Sequence, residues 1–291
     1  MRARRECSVG RVSTVTIIDT HTHVVSHDRV AYPMQPPPDL ARMGWFDEHP
    51  VDAVGLLEAL DSGGVHGAVL VQAKGAYAYD NAYAADALGI DPARLVGASI
   101  IDMGSDDRVA QLEYWTTQRG MRGTRLFNIP PVMPRWLDDP SMAAVFDRCR
   151  DLGVRVALCI VADDVPRVRA VCDLAGDLPI ALDHCGFIDL LGDTSALDAL
   201  ADVENLRLKI TTTLLEPALH AGRDPREVLE RLCEVFGVER LMWGSDFPQH
   251  HSEPYAEIVA LGRYSCSRLS VSEQARFLGG TALELWPELA P

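Results

Sequence analysis

Two histidines one residue apart, in His21-Thr22-His23, directly follow a short β-branched run near the start of the chain. Alternate side chains of a strand share one face, so both imidazoles aim the same way. Paired imidazoles can hold a divalent ion or stabilise developing negative charge. Two later segments carry the same kind of chemistry: Asp183-His184-Cys185-Gly186 closes a sixth apolar run, and Gly244-Ser245-Asp246-Phe247-Pro248 closes an eighth. Each motif is weak alone, because a histidine after a strand is commonly structural and an Asp before an aromatic-Pro pair is a common turn. If the strand ends converge, His21, His23, His184 and Asp246 surround one small ligand and become the candidate catalytic residues. His21, His23 and Asp246 are the candidate metal ligands, and Asp246 is the candidate acid/base.

The elements that must position them are legible as short β-branched runs alternating with amphipathic stretches. The runs are Val15–Ile18, Ala68–Gln72, Leu95–Ile101, Gly123–Phe127, Val154–Ile160, Ile180–Leu182, Leu206–Ile210 and Arg240–Trp243. Helices are expected over Val51–Leu60, Ala82–Leu88, Ser141–Leu152, Val165–Leu174 and Pro225–Phe236, with closing helices at Pro254–Leu261 and Ser272–Leu285. First-turn prolines (Pro140, Pro166, Pro225) and terminal glycines (Gly153, Gly237) punctuate that period. The fold class is α/β, a single-domain (β/α)8 TIM barrel over residues 14–291, preceded by a mobile tail at residues 1–13. The segment from Val24 to Pro50 is too long and proline-rich for a plain βα loop and reads as a lid or pocket wall.

A formal net charge of −15 repels phosphate backbones and anionic membranes, which argues against nucleic-acid and membrane partners. It also repels a small anionic substrate, so binding one needs a local cation. Arg122 and Arg125 on the fourth run have opposite strand parity, and Arg125, nearer the catalytic end, is the better carboxylate ligand. Arg122, Lys209, Tyr77 and His250 complete the candidate substrate-binding set, with His251, His27 and Tyr79 as further wall candidates; His49, His66 and His220 read as structural. Seven scattered cysteines with no C-x-x-C pair read as reduced thiols, and Glu6 interrupts any signal-peptide core, so the expected location is cytoplasmic. The small-molecule reading leaves room for a homo-oligomer.

Taken in order, Asp19-Thr20-His21-Thr22-His23, Asp183-His184-Cys185-Gly186 and Gly244-Ser245-Asp246-Phe247-Pro248 resemble the amidohydrolase superfamily. More narrowly they resemble the amidohydrolase-2 branch that holds the 2-pyrone-4,6-dicarboxylate lactonase, sulfomuconolactone hydrolase and sugar lactonases. Leu70-Val71-Gln72 with Asp80-Asn81, Arg122 to Phe127, Leu208-Lys209-Ile210 and Leu278-Gly279-Gly280-Thr281-Ala282-Leu283 extend the likeness from Asp19 to Leu285. Thr281 stands where the family usually has Asn. The resemblance implies hydrolysis of a lactone or similar cyclic ester, with Asp246 as general base/acid and His21, His23 and His184 stabilising the oxyanion. The residues themselves, two imidazoles from one strand and a carboxylate, make an open site for a divalent cofactor, zinc before manganese. Many metal-dependent members supply a histidine from the fifth strand, whereas here Val154 to Ile160 has none, so a metal-free mechanism stays open. The alternatives are a metal-dependent decarboxylase of the same branch and a barrel that binds a small molecule or metal without turnover.

Overall fold

Eight strands lie in one parallel sheet in the order β1 to β8: Ile18–Thr22, Gly67–Val71, Leu95–Ile100, Gly123–Asn128, Arg155–Ile160, Ile180–Leu182, Leu206–Thr211 and Leu241–Gly244. This computed structural model describes residues 15–129 and 136–291; the tail expected at residues 1–13 lies outside them. Consecutive strands pair in sequence order through helical crossovers, the pattern of a (β/α)8 barrel. The seam between β8 and β1 is joined by Thr20 Oγ1 donating to the Trp243 carbonyl (2.7 Å), Asp246 N to the His21 carbonyl (2.9 Å) and His23 N to the Phe247 carbonyl (2.8 Å). These bonds run past the end of β8, so the seam also clamps the two segments that carry His21, His23 and Asp246.

The first strand corrects the sequence reading. Val15–Ile18 was the expected run, but pairing with β2 begins at Ile18, and His21 sits inside the strand rather than after it. A β-branched run locates apolar residues, whereas the pairing here also enlists Thr20 and Thr22, whose hydroxyls bond the Trp243 and Val69 carbonyls. The helices Ala53–Gly63, Ala143–Leu152, Val168–Ala175 and Pro225–Phe236 bury their apolar faces on the outside of the sheet. Asp52 and Asp224 cap two of them by accepting from Gly55 N and Arg226 N. Among the described residues no helix is long and apolar enough to cross a membrane.

The closing C-terminal segment plugs the lower barrel. Ala282, Trp286 and Leu289 pack against Val69, Val71, Val96, Ala98, Ala181 and Met242. Gly279 lets this segment approach: a Cβ there would overlap the Thr16 carbonyl oxygen, a backbone atom that cannot rotate away. Gly279→Ala is therefore expected to destabilise the fold by about 1–3 kcal/mol, measured by denaturant unfolding. A loss under about 0.5 kcal/mol would show that the entry to β1 shifts freely and that the close approach is dispensable.

Candidate active site

The interior residues of the strands build the site in layers. Deepest is Asp183, at the end of β6 and fully buried. Its Oδ2 accepts from Arg125 Nε at 2.7 Å, and its Oδ1 lies 3.0 Å from Lys209 Nζ and 3.6 Å from His21 Nδ1. Burial works to raise this carboxyl, but Lys209, His21 and Arg125 together hold it well below the usual carboxylate range. Asp183 is thus a permanent anion that gathers strands 1, 4 and 7 around one charge. The motif reading singled out its neighbour His184 and gave Asp183 no role of its own.

Above it stand His21, His23 and Asp246, whose nearest ligand atoms all lie within 4.8 Å of one another. His23 Nδ1 meets the Val71 carbonyl at 2.9 Å, and since a carbonyl can only accept, this nitrogen carries the ring proton. In the neutral ring His23 Nε2 then presents a lone pair to Asp246 Oδ1, 3.4 Å away, and His21 Nε2 lies 3.6 Å from the same oxygen. All three atoms are buried and have no hydrogen-bond partner. Lone pairs and a carboxylate facing one another in a dry interior are unfavourable unless a cation lies between them. Burial keeps His21 and His184 below the ordinary histidine range, hence neutral. Burial alone would raise Asp246, but His184, the contact with His23, and His21 hold its carboxyl well below the usual range. Neutral imidazoles and an ionised carboxylate are the metal-binding forms. The residues fit a divalent ion, and His21, His23 and Asp246 constitute a divalent-metal-binding site.

That cluster has two imidazoles, which corrects the expectation of three acting together. His184 stands beside it, ring centroid 4.7 Å from that of His21, with Nδ1 2.8 Å from Thr211 Oγ1 and its face stacked on Phe187. The cause is local: His184, Cys185, Gly186 and Phe187 all have positive φ, between 48° and 65°, so the chain makes a left-handed turn instead of continuing the strand. Asp246 is held at φ 63° as well. Non-glycine residues adopt this region at a cost of roughly 1–2 kcal/mol each, and such costs concentrate at functional sites.

A small cavity of about 120 Å3 opens on this cluster, lined by His23, His184, Arg125, Lys74 and Gln249 and by the largely apolar Leu40, Met43, Trp45, Phe127, Ile129 and Phe187. Leu40, Met43 and Trp45 come from the long segment read as a pocket wall. Arg125, preferred over Arg122 for its place nearer the catalytic end, lies in the wall with its Nε committed to Asp183.

Four of the expected substrate contacts lie elsewhere. Arg122 is exposed and precedes β4, at the opposite end of the barrel from the cavity. Lys209 does point inward, but it is fully buried beneath the cavity as the partner of Asp183. Tyr77 is buried among Val25, Trp45, Phe46 and Ala73, where its hydroxyl accepts from Ser26 N at 2.8 Å and braces the loop after β1. His250 turns to Glu216, 3.3 Å away, in a separate surface cleft of about 780 Å3. That cleft is larger, but none of its lining residues is His21, His23, His184 or Asp246, so the chemistry belongs to the smaller cavity. His251 stacks on His49 and His27 is mostly exposed. Cys159, where a fifth-strand ligand would stand, is pushed up to about 12 by burial and packs with Ile100 and Phe127 as an inert thiol. The sequence reading passed over Lys74, Trp45 and Gln249, which lie in the short helical turns and loops that follow strands and carry no periodic signal.

A metal-binding site of two histidines and an aspartate at the mouth of a parallel barrel defines a metal-binding hydrolase, and the comparisons with known proteins agree. The family model described as amidohydrolase matches residues 18–287, and the chain belongs to that family. It is similar to an L-fucono-1,5-lactonase of Burkholderia ambifaria, 28% identical over 202 residues that span 64% of this chain and 68% of the relative. A protein of the same name from Burkholderia multivorans is 31% identical over 136 residues, 40% of this chain and 46% of its own. Among solved structures, an amidohydrolase of Burkholderia multivorans with bound zinc superposes with a TM-score of 0.74 at 19% identity, covering 94% of this chain and 99% of its own. A dihydroxybenzoic acid decarboxylase of Polaromonas with bound manganese superposes with a TM-score of 0.67 at 13% identity, covering 94% and 97%. Likeness at these identities concerns the fold.

Proposed function

We propose that this protein opens a small lactone or similar cyclic ester that carries a carboxylate. The observation that carries the reading is the set of buried, unpartnered atoms His21 Nε2, His23 Nε2 and Asp246 Oδ1, reached through His23 from a small cavity that is also lined by Arg125. The lactonases among the similar proteins support the reaction type. Zinc, with manganese second, is the ion that suits two imidazoles and a carboxylate, and the structural relative with bound zinc supports that choice. Bound between His21, His23 and Asp246, it supplies Lewis acidity toward the lactone carbonyl.

The chain's own groups divide the remaining work. Asp246 Oδ1 faces the imidazoles, while Oδ2 accepts from Thr213 Oγ1 at 3.1 Å, with Gln249 Nε2 at 3.4 Å. Oδ2 takes the proton of a water as that water's oxygen bonds to the carbonyl carbon. The ring C–O bond then breaks, and Asp246 returns the proton to the leaving oxygen, giving a hydroxy acid. A carboxylate with so low a pKa is a weak base, so the fixed placement of water and carbonyl supplies much of the rate. When Thr211 donates to His184 Nδ1, the neutral ring carries its proton on Nε2, a donor for the oxyanion. The terminal nitrogens of Arg125 grip the carboxylate.

Acid release from a panel of carboxylated lactones, followed with a pH indicator, tests the reading. Carbon dioxide release from an unsaturated acid, with no lactone opened, would replace it with decarboxylation. Protein purified without added metal is expected to hold about one equivalent of zinc and to lose at least about nine-tenths of its activity to a chelator. Full activity in chelator with under about a tenth of an equivalent of any transition metal would remove the ion from the mechanism.

A further inference from the structure

The cavity holds a second cation that the reaction scheme leaves unused. Lys74 follows β2 at the start of a short helical turn, Lys74–Tyr77, and is only 5% exposed. Its Nζ lies 3.5 Å from the centroid of the Tyr79 ring and 5.1 Å from that of Phe127. Among the described residues this Nζ makes no ion pair and no hydrogen bond, although the chain carries 42 acidic residues. Arg125 lies against the same ring, 5.5 Å from the Phe127 centroid, and its Nε is already engaged by Asp183.

An ammonium drawn largely out of bulk water with no carboxylate in contact is costly, and the aromatic faces of Tyr79 and Phe127 offset only part of that cost. The fold tolerates it at a position that lines the reaction cavity. We infer that Lys74 is a specificity-determining residue, whose ammonium receives the substrate's anionic group beside the free edge of Arg125. Of the rest of the lining, Leu40, Met43, Ile129 and Phe187 are apolar, while Gln249 and the unpartnered Trp45 Nε1 offer polar contacts for only a few substrate oxygens. The ligand class is therefore a compact, monocyclic ring with one carboxylate and few hydroxyls. This inference rests on the proposed lactone chemistry for its substrate, but its binding step does not require turnover.

The site carries a pH signature. Burial pushes the Lys74 amine down to about 8, against the fields of Asp102 and Asp39, with Arg125 working in the same direction as burial and Cys159 against it. The cation is present below that pH and lost above it, so carboxylate binding weakens as pH rises from 7 to 9. An arginine at this position stays charged throughout that range.

Titration calorimetry with cyclopentanecarboxylate and cyclopentanecarboxamide, which have no ester to cleave, tests this on the metal-loaded protein. Lys74→Met is expected to lower the preference for the carboxylate over the amide by about ten- to a hundredfold. Lys74→Arg is expected to keep the preference within about threefold at pH 7 and to abolish its decline toward pH 9. A preference unchanged in Lys74→Met, or a decline that persists in Lys74→Arg, overturns the assignment. Should Lys74→Met fail to fold, the pH profile of Lys74→Arg decides alone. Carboxylate binding through Lys74 in a protein that opens no lactone would sink the lactonase reading and leave this one intact. Lactone opening with no role for Lys74 would do the reverse.

Discussion

Asp246→Asn is expected to lower kcat on a carboxylated lactone by at least about a hundredfold, since the amide keeps the size of the carboxyl but cannot take a proton. The local scaffold should survive the change. Thr213 Oγ1 can still donate to the amide oxygen, and Asp246 N still bonds the His21 carbonyl at 2.9 Å. The backbone at φ 63° also favours the substitution, because Asn tolerates the left-handed region well. Loss of rate with an unchanged melting temperature is therefore the expected signature. Metal content measured on the same sample separates the two roles of the side chain: an amide oxygen is a poorer ligand than a carboxylate, so some loss of ion accompanies loss of the base. A variant that retains more than about a tenth of wild-type turnover after saturation with zinc would show that another group moves the proton.

Asp183→Ala should act on the fold itself. Its carboxylate is the only acidic partner that Lys209 and Arg125 have among the described residues, at 3.0 Å and 2.7 Å. With Lys209 wholly buried and Arg125 nearly so, neither charge can reach bulk water when Asp183 is removed. Breaking a buried pair from one side typically costs about 3–5 kcal/mol, because the orphaned charge remains. The same change frees His21 Nδ1, so metal affinity is expected to fall together with stability. Denaturant unfolding measures the first effect. Adding Lys209→Met should recover part of the loss, as the double variant no longer buries an unpaired ammonium. A single-variant loss below about 1 kcal/mol would mean that water reaches these groups and that the charge network is weaker than its burial implies.

How much of this was written in the chain depends on the range of the interaction involved. The alternation of β-branched and amphipathic runs follows from local periodicity, and it placed strands 2 to 8 to within a residue or two of their observed ends. Strand parity separated Arg125 from Arg122, and nearness to the catalytic end chose Arg125, which the structure buries. The same rule aimed His21 and His23 together, and their ring centroids lie 5.0 Å apart.

Parity could not say how far along the barrel an inward side chain ends. Lys209 and Arg125 both face the interior, yet one lies under Asp183 and the other reaches the cavity, a difference set by strand stagger around the closed sheet. Nor could local pattern foresee the left-handed run from His184 to Phe187, which turns the third imidazole out of the metal cluster. Tyr77 and His250 were drawn elsewhere by Ser26 N and Glu216, partners 51 and 34 positions away along the chain. Lys74 carried no signal because a single lysine after a strand is ordinarily solvated. The sequence by itself determined which residues can bind an ion and which strands present them. Only the tertiary structure decided which cations are left unpaired at the cavity, because pairing depends on contacts between segments that no local period links.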